Sequence, residues 1–251
     1  MKKLLLSSVL AALSFNTHAS VVEMHTSLGT ITINLFDQQT PKTVENFLNY
    51  VVNDSYNETV IHRSVDDFVI QGGGFTFTES FEAIEAQPAV INEPVLSNVK
   101  GTIAMAKLGT DANSATSQWF FNLKDNSANL DVQNGGFTVF GQITEDSYEV
   151  LNAIAELVHC DTKFGTTPVV NITTEQCANA DTVITSANLV SINSAVVLDD
   201  DPNSSVNLSP TENTLIDEDT TSEPIDIDSS GSMGWFALPV ILLAMKRRRK
   251  L

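Results

Sequence analysis

Ile61-His62-Arg63-Ser64-Val65-Asp66-Asp67-Phe68-Val69-Ile70-Gln71-Gly72-Gly73-Gly74 holds two short apolar runs, broken at the aspartate pair and stopped by three glycines. Runs of this length between turn-forming residues have the size of β-strands and are too short for a helix. Arg63 is the only arginine before Arg247. A domain that uses lysine elsewhere but arginine here points to a need for a planar, permanently charged fork, against the blander alternative of a surface ion pair. The triple glycine is not followed by Gly-Lys-Ser/Thr, so it does not read as a phosphate loop. His62, Ser64 and Asp66 are too close along the chain to suggest a nucleophilic triad, which geometry rather than adjacency defines. His62 reads as a structural hydrogen-bonding residue.

On the N-terminal side, Met24 to Leu35 reads as two strands around a turn, with Ile31, Ile33 and Leu35 alternating with polar residues. Thr40-Pro41 has the form of an N-cap followed by a first-turn proline, and Val44, Phe47, Leu48 and Val51 follow at helical spacing. Short strands are expected at Val60 to His62, Phe68 to Gln71, Gly101 to Ala106, Gln118 to Asn122 and Phe137 to Phe140. A second helix is expected from Ser147 to about Leu157, and a last strand from Val183 to Ile192. Many short strands, two distant helices and no βαβ rhythm describe a mostly β fold, an antiparallel sheet or barrel.

Both ends of the 251-residue chain differ from this middle. Residues 1–19 carry Lys2-Lys3, an apolar run from Leu4 to Leu13 and Thr17-His18-Ala19, the layout of a cleaved secretory signal peptide. Residues 199–230 hold ten acidic residues up to Asp228 and no lysine or arginine, the composition of a disordered, extended linker. Residues 231–251 hold Gly231-Ser232-Met233-Gly234, an apolar stretch to Met245 and the cluster Lys246 to Lys250. That apolar stretch is shorter than the ~20 residues of a membrane-crossing helix, although a basic cluster beyond it would hold that end in the cytoplasm. The folded unit is thus residues 20–198, with 21 acidic residues against six lysines and arginines, a net of −15. Such a surface repels phosphate backbones, so nucleic acid is not an expected partner. Cys160 and Cys177, an isolated pair in an exported chain, read as a disulfide, and the scattered histidines give no metal spacing.

Later blocks extend the pattern around Arg63: Gly101-Thr102-Ile103-Ala104-Met105-Ala106, then Ser114-Ala115-Thr116-Ser117-Gln118-Trp119-Phe120-Phe121-Asn122, then Leu130-Asp131 and Phe137-Thr138-Val139-Phe140-Gly141. In this order and spacing they resemble the cyclophilin family of peptidyl-prolyl cis-trans isomerases, especially its bacterial exported members, from about Val22 to Ile192. The resemblance implies a closed eight-stranded antiparallel β-barrel capped by two α-helices, with the substrate groove on its outer wall. It places Arg63, Gln71 and Phe120 as catalytic residues. Phe68, Val69, Ala106, Lys107, Gln118, Leu130 and Phe137 fall on substrate-binding positions. It implies no cofactor and no metal. Partners would be proline-containing unfolded or exported polypeptides. Asn129 stands where many eukaryotic members carry a groove-edge tryptophan and Phe137 where they carry a histidine, so weak cyclosporin binding is expected. The last twenty residues resemble a GlyGly-CTERM sorting signal with a broken glycine pair, implying contact with the inner membrane and a rhomboid-type protease; a plain C-terminal anchor is the alternative. Export places the protein in the periplasm or envelope of a Gram-negative bacterium, either tail-anchored or processed to the surface.

The chemistry agrees with the residues. Rotation about a peptide bond faces a barrier of about 18–20 kcal/mol, set by amide resonance. A guanidinium aimed at the prolyl nitrogen can donate a hydrogen bond that strengthens only as resonance is lost, so it favours the twisted state over the ground state. The competing expectation is a binding module: a chaperone or envelope scaffold of the same fold that grips proline-containing chains without turnover.

Overall fold

The computed structural model describes residues 20–160, 164–198 and 208–216. The readings of a signal peptide at 1–19 and a membrane or sorting tail at 231–251 lie outside the described residues, as does most of 199–230. Among the described residues no helix is long and apolar enough to cross a membrane.

Strands β1 (Val21–Thr26) and β2 (Gly29–Leu35) form the expected hairpin, with Val22, Met24, Ile31, Ile33 and Leu35 buried on one face. Helix α1 (Pro41–Val52) begins at Thr40. The Thr40 hydroxyl donates back to the Phe36 carbonyl instead of capping the helix, and Pro41 occupies the first turn, where a missing N–H costs nothing. Val44, Phe47 and Val51 face the core as expected, Leu48 is only half-buried, and Tyr50 is fully enclosed, stacked on Tyr56. Then follow β3 (Thr59–Val60), β4 (Arg63–Val65), β5 (Val69–Gly72), β6 (Phe75–Phe77), β7 (Phe81–Ala83), β8 (Thr102–Met105) and β9 (Trp119–Asn122). The remaining elements are α2 (Ser127–Leu130), β10 (Val139–Ile143), α3 (Ser147–Ala155), β11 (Val158–His159), β12 (Pro168–Val169), α4 (Thr174–Ala178) and β13 (Ser191–Leu198).

The expectation of a closed eight-stranded barrel is corrected. One curled antiparallel sheet of eleven strands runs in the order β4-β5-β9-β8-β10-β2-β1-β13-β3-β6-β7, and its end strands β4 and β7 are not paired with each other. The reason lies in the segment after α3. The Ser64 N–H on the outer edge of β4 donates to the Thr166 carbonyl at 2.7 Å, and the Phe164 ring packs on Phe77 and Phe81 of β6 and β7. The stretch that carries Phe164 and Thr166 thus touches both open edges and takes the place of a closing ladder. It is held by the Cys160–Cys177 disulfide, both cysteines being buried.

The last strand also differs from expectation. Val183 is exposed, Thr185 starts a 3-10 turn at Ser186–Asn188 with a reciprocal cap to Asn188, and the strand itself begins only at Ser191. Besides the two expected helices, the described residues include the single-turn helices α2 and α4. A third departure concerns the acidic linker: residues 208–216 are packed against the domain, with Glu212 bridged to Leu96. Composition argued against order there, but the bonds made are to main chain, which composition does not report.

Candidate active site

Period two sorts the central strands into two faces. Ile70, Ile103, Met105, Trp119 and Phe121 point into the main core, while Val69, Ala104, Phe120 and Val139 point outward and join Phe36, Leu96 and Leu130 in a second apolar cluster. The ladder places Arg63 opposite Gln71, Gln71 opposite Phe120, Phe120 opposite Ala104, and Ala104 opposite Val139. Directly opposed residues stand about 4.5–5.5 Å apart at Cβ. Four loops' worth of sequence separation therefore collapses into one row: a guanidinium, an amide and an apolar floor.

The polar end of the row is wired side chain to side chain. Arg63 Nη1 donates to Gln71 Oε1 at 3.3 Å, and Gln71 Nε2 donates to Gln118 Oε1 at 2.8 Å. The Arg63 guanidinium carbon lies 5.8 Å from the centre of the Phe68 ring. Burial lowers the Arg63 pKa from its ordinary value, yet the only ion pair among the described residues is that of His25 with Glu23. A half-buried guanidinium with five N–H donors, one of them given to Gln71, retains donors for a ligand. The glycines serve this arrangement. Gly73 has φ +75°, and a Cβ there would meet Trp119 Nε1 at 2.5 Å; at Gly74 it would meet Gln118 Cδ at 2.7 Å. Side chains at either position would push out the tryptophan beneath the row or the glutamine at its end.

The apolar end is equally defined. Val69, Phe120 and Leu130 are buried in the outer cluster, and Phe68, Ala106 and Phe137 pack against it half-buried. Phe137 meets Phe120 edge-on with ring centres 5.7 Å apart. Lys107 does not reach into solvent. Its ammonium donates to the carbonyls of Asn134 (2.8 Å) and Gly136 (2.5 Å) and lies 4.9 Å from the centre of the Phe137 ring. Burial pushes its pKa down to about 8, with Asp111 pulling the other way. The side chain thus clamps the loop before Phe137. Asn129 is exposed next to Leu130.

An apolar pocket beside an unneutralised guanidinium and a chain of amides suits a neutral, apolar group flanked by amide oxygens and nitrogens, as in an X–Pro peptide. A model of the cyclophilin-type peptidyl-prolyl cis-trans isomerase family matches residues 21–179. The chain belongs to that family. As such a cyclophilin it is 40% identical to a peptidyl-prolyl cis-trans isomerase of Acinetobacter baylyi over 155 residues, 59% of this chain and 80% of that protein. It is 43% identical to one of Streptomyces antibioticus over 54% of this chain and 82% of that protein, and 36% identical to isomerase B of Escherichia coli K12 over 53% and 83%. Its fold is similar to that of a Cryptosporidium parvum cyclophilin crystallised in the presence of the dipeptide Ala-Pro, with a TM-score of 0.52 and 21% identity, covering 72% of this chain and 99% of that one. The cyclophilin assignment makes the chain a peptidyl-prolyl cis-trans isomerase.

All ten site residues expected from the sequence lie along this row or its apolar floor, Lys107 as a clamp on the wall. Three supports were not anticipated. Buried Asp131 accepts from Ser97 Oγ (2.5 Å), Asn98 N (2.8 Å) and Asn98 Nδ2 (2.9 Å), anchoring the turn that carries Leu130. Asn98 Nδ2 also reaches the Phe137 carbonyl at 3.1 Å. Thr167 Oγ1 donates to the His62 carbonyl at 2.7 Å, next to Arg63. The only prior signal for these was the family's Leu-Asp pair; main-chain acceptors leave no residue-type trace.

Proposed function

We propose that Arg63 carries catalysis by donating a hydrogen bond to the prolyl nitrogen of the twisted X–Pro amide, with Gln71 orienting the guanidinium and Val69, Phe120 and Leu130 holding the ring. Phe68, Phe137 and Ala106 line the groove, Gln118 meets the peptide's polar atoms, and the Ala106–Lys107 segment runs beside its backbone. What supports this reading most is the cross-strand row that sets the unneutralised Arg63 guanidinium against the apolar floor. The step breaks no covalent bond: the enzyme binds the twisted amide better than the planar one, and only that difference lowers the barrier. A hydrogen bond to a charged group contributes about 1.5–3 kcal/mol, which corresponds to roughly 10- to 150-fold in rate.

The same proposal places the enzyme outside the cytoplasm, assisting the folding of exported proteins, with residues 231–251 engaging the inner membrane or a sorting protease, and with weak cyclosporin affinity because Asn129 replaces a groove-edge aromatic. Exchange NMR on an X–Pro peptide tests the catalytic part. The parent should accelerate cis–trans exchange, and Arg63→Ala should lose at least about tenfold of kcat/KM while still binding peptide. Equal rates in parent and variant would remove Arg63 from the mechanism.

A further inference from the structure

Residues 208–216 belong to an acidic stretch without lysine or arginine, yet they make a set of bonds to one part of the groove wall. Ser97 N donates to the Thr211 carbonyl at 2.8 Å and Asn213 N to the Val95 carbonyl at 2.9 Å, the two bonds that bridge Glu212 to Leu96. Asn213 is 9% exposed. Its Nδ2 donates to the carbonyls of Pro94 (3.0 Å) and Asp131 (2.9 Å), and its Oδ1 accepts from Leu215 N (3.0 Å) and Ile216 N (3.1 Å). Each donor and acceptor of the amide is therefore used. Leu208 packs against the apolar cluster that contains Val69, Phe120 and Leu130. Ile216 Cδ1 lies 3.3 Å from where a Cβ on Gly136 would stand.

These contacts converge on the turn from Leu130 to Phe137. Asp131 follows Leu130, Gly136 precedes Phe137, and the Phe137 N–H closes the turn onto the Leu130 carbonyl at 2.8 Å. We infer that residues 208–216 form a strap that fixes this turn, with Asn213 as a positioning residue for the proline pocket. This rests on the reading of Leu130 and Phe137 as pocket walls. The strap holds the wall through its main-chain groups. Its hydrogen bonds go to residues 94–97 and to Asp131, whereas Arg63, Gln71 and Gln118 bond to one another. A buried carbonyl must have a partner, so without Asn213 the Asp131 and Pro94 carbonyls must turn toward water, and the wall moves with them.

The full chain carrying Asn213→Ala is compared with the parent and Arg63→Ala, measuring X–Pro exchange against peptide concentration. Asn213→Ala should raise KM on the order of tenfold, the loss of about 1.4 kcal/mol of binding, with kcat within about twofold. Amide chemical-shift changes should centre on residues 130–137 and spare 63–71. Leu208→Ser, which leaves the strap hydrogen bonds of Thr211 and Asn213 in place, should give a smaller change of the same kind and serves if Asn213→Ala fails to fold. An unchanged KM in a folded Asn213→Ala would overturn the strap; a lower KM or higher kcat would also overturn it, by making the segment an autoinhibitory occupant. If Arg63→Ala were as active as the parent, the pocket reading itself would fall instead.

Discussion

Arg63 and His62 are neighbours with opposite assignments, one kept charged and one kept neutral. Burial, helped by the adjacent guanidinium, lowers the His62 pKa to about 4. The imidazole, edge-on to Phe75 at 4.9 Å, is therefore uncharged through the physiological range and cannot shuttle a proton there. With Lys107 titrating only near 8, kcat/KM should be flat between pH 5.5 and 7.5. A bell-shaped profile in that window would show that a titrating group takes part. Stability should not be flat. The unfolded chain takes up the His62 proton at about pH 6.5 and the folded chain only at about 4, so the unfolded state gains relative stability as pH falls between these values. The contribution is complete above about pH 6.5 and is lost by about pH 4, amounting to roughly 3 kcal/mol. Urea unfolding at pH 7 and 4.5 checks it, with His62→Gln expected to shrink the difference between the two pH values.

The element that carries Arg63 is a three-residue strand paired on one side only, and such an edge needs a partner for its outward N–H groups. The disulfide-linked segment supplies it through the Thr166 carbonyl to Ser64 N and through Thr167 Oγ1 to the His62 carbonyl. The cysteines are 17 residues apart, and closing a loop of about that size contributes roughly 3 kcal/mol. In Cys160→Ser/Cys177→Ser the Ser64 amide should exchange with solvent faster and kcat/KM should fall several-fold, while amides of β8 and β10 change little. Unaltered Ser64 protection would show that the brace stands without the disulfide. The pairing of the cysteines was legible from an isolated pair in a chain read as exported. Their purpose was not, because it depends on carbonyls at 62 and 166 that any residue type would present. The row Arg63–Gln71–Phe120 could be named from the sequence for the opposite reason: the roles proposed for its members belong to side chains, so chemistry constrains which residues can stand there.

At the scale of the molecule, the alternation of Ile31, Ile33 and Leu35 exposed the buried face of the first hairpin, and the spacing of Val44, Phe47 and Val51 exposed α1. Closure of the sheet was not readable, because whether β4 meets β7 depends on a segment with little periodicity. Nor was the strap, whose composition resembles that of an unfolded chain. Charge is the one global quantity that needed no structure. The chain carries a formal net charge of −18, and the one ion pair among the described residues is the exposed contact of His25 with Glu23. The carboxylates thus repel one another more in the compact state than in the unfolded chain. Salt should relieve this, since the screening length falls from about 30 Å at 0.01 M to about 8 Å at 0.15 M. Tm should therefore rise by a few degrees between those salt concentrations, the change expected for about 1 kcal/mol in a domain of this size. Screening predicts that most of the gain is complete by 0.3 M and is the same for chloride and fluoride. A gain that grows linearly to 1 M and differs between the two anions would instead come from preferential exclusion of salt from the surface, leaving charge repulsion with no measurable part in the stability of the fold.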